Sequence, residues 1–516
     1  MKKRFTIITA SADRYISSRN DILYVPAIAK MAEAVVYVTA YSNTLSVYYK
    51  SSDILRKALL FMEDSLKDIP TAFLKGRSFC DSVVYASQIY RMAEEFTEKE
   101  ISKAAYDYLE AAGPLLLKTV ADSLHIGCAL SHIMNDTHDS SLKVSVTACL
   151  MQADLKTDIS DSSIRKLLDL YTELDDEQYL NAAVNDLYTV MSFIDPDNTI
   201  MVIENEKDNI SKGRISRPLS AYFSSFLRAS LFCGNKDLAS VAGYILRFPS
   251  TRESSEANGS GDIRFVPTAI LRDSSLLTVE IPDNRNGYIF PDYCVLHEDM
   301  GIYRKKDSMT SQTIAADQDL FYTFQCGSLK LRVRLNGCFF GPKGRFKSDC
   351  LTKTEHGYSL HYARDWGYFL PLKDLSKPPI IDSDVNKVDR EMTTMTHYEI
   401  DVDVLPKKDG AQIDISVGGV DRCPYKLDFI FDGEGIFESG TVLKKSIGND
   451  FIQLKKGSFT YTKGPDMIRV SSAFEGSSDW NEALRGSMLP IEGSFTVYFT
   501  DLSISKHTIN IEGGRK

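Results

Sequence analysis

Only six of the chain's 30 glycines precede residue 251, and the other 24 follow it. Glycine weakens helix interiors and serves tight turns. The first 250 residues are therefore free to be helical, and the remainder is turn-rich. A length of 516 residues exceeds what one ordinary core organises. The expected architecture is an α+β multidomain chain, with a helical domain over residues 1–250 and an antiparallel β-sandwich over 251–516.

Local patterns agree with that division. In 51–68, Ser52 or Asp53 can cap a first turn, with Leu55, Leu59, Met62 and Leu66 on one face. Thr97-Glu98-Lys99-Glu100 reads as a capping box. Asp161-Ser162-Ser163 precedes Ile164, Leu167, Leu168 and Tyr171, and Asn235-Lys236-Asp237 precedes Leu238, Val241, Ile245 and Leu246. About nine or ten helices are expected between residues 15 and 248. Several are apolar on more than one side, as in a double-layered ring or a stacked array.

Ser254 to Asp262 reads as a linker. Beyond it, Leu329, Leu331, Val333 and Leu335 alternate with Lys330, Arg332 and Arg334, and Ile413, Ile415 and Val417 alternate likewise. Phe495–Phe499 and His507–Ile511 read as closing strands. A helical domain followed by a β domain predicts a cleft between them, a common place for a ligand.

Net charge is −10, from 60 basic and 70 acidic side chains, and no basic patch dominates. Nucleic acid is therefore not an expected partner. Met1-Lys2-Lys3-Arg4 opens like a secretory signal, but the apolar run to Ala12 is interrupted and then stopped by Asp13 and Arg14. No run of about 18 apolar residues is present, so no membrane span is expected. Nine scattered cysteines include no Cys-x-x-Cys pair. Reduced, buried thiols in a cytoplasmic protein fit this spacing, and the structural zinc spacings are missing.

Five strings, in this order along the chain, carry a resemblance. They are Asp13-Arg14-Tyr15-Ile16-Ser17, Tyr171-Thr172-Glu173 with Tyr179 eight residues beyond Tyr171, and Phe339-Phe340-Gly341-Pro342-Lys343-Gly344. Trp366-Gly367-Tyr368-Phe369-Leu370-Pro371-Leu372 and Phe495-Thr496-Val497-Tyr498-Phe499-Thr500 follow. Together they resemble the heparinase II/III-like and alginate-lyase-like proteins, in an uncharacterised bacterial branch. The resemblance implies an (α/α) toroid-like helical domain, then a β-sandwich. It also implies β-elimination on uronic-acid-containing oligosaccharides or polysaccharides, with no metal or other cofactor. That reaction needs the uronate carboxylate neutralised, a base for the C5 proton, and an acid for the departing oxygen.

The resemblance assigns residues to these roles. Tyr179 would move protons, with Tyr171 and Glu173 on the same wall. The polar stretch His132–Ser141, read as a loop, stands where the family carries an Asn-His pair. Here Asp139 and Ser140 occupy those places, which leaves Asn135 and His138 to supply the two roles. Among the sandwich histidines (His297, His356, His361, His397 and His507), His361 is the candidate to reach the cleft. Cys326 stands where relatives carry a histidine after Phe321–Phe324. Arg217, at an expected helix start, and Arg345 or Lys343 are candidate carboxylate clamps. Trp366 and Tyr368 could stack on a sugar, and Asp81 could bind a hydroxyl.

Each assignment has a structural alternative: capping for the 132–141 stretch, core packing for the aromatics, solvated charge for the cations. Asp195-Pro196-Asp197-Asn198 and Asp432-Gly433-Glu434-Gly435 lack full calcium-loop spacing and read as turns. Two other functions remain open beside the lyase. One is a non-catalytic glycan-binding or scaffold protein with a degenerate site; the other is a glycosidase acting on uronides. Homo-oligomerisation is also left open.

Overall fold

The computed structural model describes residues 16, 27–42, 44, 46–96, 98–153, 155, 159–196, 199–201, 216–218, 222–247, 292–307, 309–370, 391–440, 442–446, 448–475 and 491–515. The chain divides into two compact units. In described residues, the first holds 16–191, 199–201 and 216–247, and the second holds 192–196 and 292–515. The linker expected at Ser254–Asp262, Thr97 and most of the Asp13–Ser17 string lie outside the described residues.

Ten α-helices lie among the described residues. They are α1 (Ala27–Ser42), α2 (Ser52–Ala72), α3 (Arg77–Glu95), α4 (Lys99–Leu116), α5 (Ser123–Thr137), α6 (Lys143–Met151), α7 (Asp161–Leu174), α8 (Glu177–Ser192), α9 (Phe223–Cys233) and α10 (Lys236–Arg247). Two short strands, β1 (Thr199–Met201) and β2 (Ser216–Pro218), pair antiparallel. Arg217 therefore sits on a strand and not at a helix start; its side chain lies outside the described residues.

The buried stripe of α2 is Ile54, Ala58, Phe61, Met62, Ser65 and Ile69. It is turned from the expected one, since Leu55, Leu59 and Leu66 only flank it. The Ncap position is Ser51, which makes no side-chain cap, and Asp53 instead pairs with Arg56 and Lys57 at 3.0 Å. The α7 start follows the sequence better: Ser160 Oγ accepts from the Ser163 amide, and Ile164, Leu167 and Leu168 are buried. Helix α5 packs against both α3 and α7.

The second unit has two sheets. The eight-stranded sheet runs β15 (Asp450–Gln453), β18 (Ser494–Leu502), β12 (Pro424–Asp432), β7 (Leu329–Gly337), β6 (Tyr322–Cys326), β5 (Thr310–Ala315), β4 (Ile302–Asp307), β3 (Tyr293–His297). The nine-stranded sheet runs β14 (Val442–Lys445), β13 (Ile436–Ser439), β16 (Lys456–Lys463), β17 (Asp466–Glu475), β19 (Ser505–Arg515), β11 (Gly410–Gly419), β10 (Met392–Lys407), β9 (Tyr358–Phe369), β8 (Leu351–Lys353). Neighbours are antiparallel except β15 and β18.

Alternation places one face of each sheet in a shared apolar core. In β12, Leu427 sits in register with Leu335 on one side and Phe499 on the other. Phe431 stacks across to Tyr461 of the other sheet at 4.3 Å between ring centroids. The β6–β7 turn needs Gly327 at φ +55°, where a Cβ would strike the Asp466 carboxylate that accepts from Ser328.

The charges of β7 depart from a solvated face. Arg334 is buried and donates to Asp428 at 2.7 Å, and Lys426 reaches the same carboxylate at 3.1 Å. Arg304 is fully buried, 2.9 Å from Asp195, whose other oxygen lies 3.2 Å from Lys330. Asp195 therefore serves this ionic network instead of a calcium loop.

Candidate functional site

Three helices of the first unit each present two polar side chains four residues apart: Ser87 and Arg91 on α3, His132 and Asp136 on α5, Asp169 and Glu173 on α7. That spacing stacks the pair on one helix face. Packing α5 between the other two brings all six together.

Arg91 holds Glu173 at two points, Nη1 to Oε1 at 2.6 Å and Nη2 to Oε2 at 2.7 Å. Its Nε donates to Asp136 Oδ1 at 2.6 Å. Asn135 Nδ2 donates to the backbone oxygen of Glu173 at 2.9 Å and to Oε2 at 2.8 Å. His132 Nδ1 lies 2.9 Å from Ser87 Oγ and 3.3 Å from Glu173 Oε1. Asp169 Oδ1 accepts from Arg228 of α9 at 2.7 Å.

Burial opposes ionisation of Glu173. The His132 ring beside it and the hydrogen bonds from Arg91 and Asn135 outweigh it and hold the carboxyl down at about 2. Burial likewise works against the Arg91 cation, but Glu173 and Asp136 keep its pKa above the ordinary value. Glu173 is thus an anion at neutral pH, and all three guanidinium nitrogens of Arg91 face carboxylates.

The residues expected from sequence fall into several places. Asn135 and Glu173 meet here. The stretch 132–141 is not a loop: residues 132–137 finish α5, and His138 is its exposed left-handed C-cap at φ +57°. Asp139 caps the following turn through the Ser141 amide at 3.0 Å. Tyr171 packs on Phe232, with ring centroids 5.1 Å apart.

Tyr179 is buried in the first turns of α8. Burial first, and then Asp176, push its phenol above the ordinary value. Asp81 lies 2.6 Å from Lys166 Nζ, and although burial opposes this, Lys166 holds its carboxyl low.

In the second unit, His361 is exposed and lies 2.6 Å from Asp401. His297 is held 2.8 Å from Ser192 Oγ and stacks on Phe193. Cys326 is a core residue, its thiol raised by burial and then Asp466. Lys343 Nζ covers the Trp366 ring at 4.3 Å, so that aromatic face is already occupied. Arg345 is half-buried and follows a 3-10 turn, Gly341–Gly344.

Sequence reasoning missed Arg91, Asp169 and Arg228. Isolated charges inside amphipathic helices look solvated until neighbouring helices cover them. His132 was visible only as one residue of a polar string. Its spacing with Cys128 and Asp136 along one helix face was the available signal.

No family model and no curated protein matches the chain. Among solved structures, the chain is similar to the chondroitin AC lyase of Streptomyces coelicolor A3 in complex with chondroitin sulphate. The TM-score is 0.55 at 9% identity, over 100% of this chain and 79% of that one. A mutant of the same enzyme gives a TM-score of 0.50 at 8% identity, with the same coverage. The chain therefore has a polysaccharide-lyase-like fold, a helical region followed by a large antiparallel region. No helix among the described residues is long and apolar enough to cross a membrane.

Proposed function

We propose that the chain is a polysaccharide-lyase-like protein that cleaves uronic-acid-containing glycans by β-elimination, with its helices arranged as a toroid. The observation that carries this reading is the likeness of the whole chain to a chondroitin AC lyase, an enzyme solved with a sulphated uronan bound. The ordered strings resembling heparinase II/III-like and alginate-lyase-like proteins support it. The heparinase-like branch is part of the proposal.

In this reading Tyr179 acts chiefly as the acid. A phenol raised above its ordinary pKa stays protonated at neutral pH, ready to protonate a departing glycosidic oxygen. His138, exposed on the same unit as Tyr179, is the proposed proton acceptor. Arg91 is the proposed carboxylate-recognising group, which requires an incoming uronate to displace Asp136 or Glu173 from it.

The burial of Tyr179 favours a second reading, glycan binding without turnover, since a buried phenol is withheld from a departing oxygen. One experiment separates them. The protein is incubated with alginate, heparan sulfate, hyaluronan, chondroitin sulfate and pectic fragments while near-ultraviolet absorbance is followed. The lyase reading expects a rise from the unsaturated uronide, and a loss of about 100-fold or more in kcat for Tyr179→Phe with affinity retained. A flat trace across the panel with binding still measurable selects the second reading.

A further inference from the structure

Cys128 and His132 lie one turn apart on α5 and face Asp169 of α7, all three buried. One ligand atom from each, the thiol sulfur, a ring nitrogen and a carboxylate oxygen, falls within 4.8 Å of the others. His132 Nε2 is the informative atom. It is buried and has no hydrogen-bond partner among the described residues. The nearest carboxylate oxygen, Asp169 Oδ2, is 3.9 Å away, beyond a hydrogen bond. A buried ring nitrogen without a partner is costly unless something else occupies its lone pair.

The surroundings supply that arrangement. His132 Nδ1 faces Ser87 Oγ at 2.9 Å and Glu173 Oε1 at 3.3 Å. A proton on Nδ1 is satisfied there, which leaves Nε2 as the bare donor. A carboxylate behind the distal nitrogen is the usual support of a metal-ligating histidine. Asp169 is supported likewise, its Oδ1 held by Arg228 at 2.7 Å while Oδ2 faces the imidazole.

We propose that Cys128 Sγ, His132 Nε2 and Asp169 Oδ2 form a binding site for a borderline-soft divalent cation of the zinc class. A thiolate, an imidazole and a carboxylate suit such an ion, with one position left for water or a further ligand. Tetrahedral bonds of about 2.0–2.2 Å to nitrogen and oxygen set those two atoms about 3.4 Å apart. The α5–α7 contact therefore tightens by about half an ångström on binding. The Cys128 thiol gives up its proton to solvent as the metal–sulfur bond forms. The site ties α5 to α7 and adjoins the proposed carboxylate-recognising Arg91 through Glu173, which touches both His132 and Arg91.

The test uses the full chain, stripped with chelator and titrated with cobalt(II) chloride. The expected result is one Co2+ per chain with a near-ultraviolet thiolate-to-cobalt band, displaced by Zn2+. Cys128→Ser loses the band and the stoichiometric ion, whereas His397→Ala, which removes an exposed histidine flanked by Asp365 and Glu399, keeps both. Should Cys128→Ser not fold, X-ray absorption on the zinc-loaded wild type decides. One sulfur at about 2.3 Å among nitrogen and oxygen ligands supports the site. Absence of stoichiometric uptake, a shell of nitrogen and oxygen alone, or a band that survives Cys128→Ser overturns it.

Discussion

The Arg91 guanidinium closes on both carboxylate oxygens of Glu173, at 2.6 and 2.7 Å, joining two helices whose residues stand 82 positions apart. The Glu173 side chain is 2% exposed, while Arg91 keeps 39%. The anion is therefore the desolvated partner. Leaving that buried anion alone costs more than the pair contributes.

Glu173→Ala should lower unfolding free energy by about 2 kcal/mol, since it removes the charged acceptor of Arg91 and Asn135 while Arg91 keeps Asp136. Glu173→Gln, which keeps an acceptor oxygen, should lose less. Urea denaturation of both variants measures this. A loss under about 1 kcal/mol in the Ala variant would show that the pair is incidental to the fold.

His297 should make the second unit acid-sensitive. Its pKa is lowered, by burial first and then Arg304, against the pull of Asp299. The folded state therefore resists a proton that the unfolded chain accepts near the ordinary value of about 6.5. The His297 contribution is fully present above that value and is lost as pH falls toward the depressed folded value. His297→Asn should flatten this part of the stability profile. An unchanged slope between pH 7 and 5 would dismiss His297 as its source.

Thiol reactivity should divide by burial. Cys233, Cys294 and Cys350 are exposed, whereas Cys80 and Cys423 are buried with thiols pushed up to about 12, chiefly by burial. An aromatic disulfide reagent should label the first three in the native protein and reach Cys80 and Cys423 only on unfolding. Peptide mapping after timed labelling reads the order, and early labelling of Cys423 would contradict the packing of the sandwich.

Leu427→Ala should cost about 2–5 kcal/mol, because its side chain sits between Leu335 and Phe499 in the closed core. The loss should appear as a lower urea midpoint. A cost under about 1 kcal/mol would mean that the core relaxes around the cavity.

Periodicity marked helices and strands where a core-facing stripe repeats at the period of its element, although the buried stripe of α2 is turned from the expected one. The alternation of Leu329, Leu331, Val333 and Leu335 in β7 and of Ile413, Ile415 and Val417 in β11 matches their burial. Capping chemistry at Asn235 was legible for the same local reason, whereas the α7 cap is Ser160, one residue before the expected Asp161–Ser163. Tertiary packing decided the fate of the charges. Arg334 and Lys330 alternate like solvent-facing residues, yet both are buried against Asp428 and Asp195. His132 gains meaning only when α3 and α7 bring Ser87, Asp169 and Glu173 around its ring. Sequence records which residues repeat along one element, whereas a polar cluster forms from residues of different elements, and only the fold sets the distances between them.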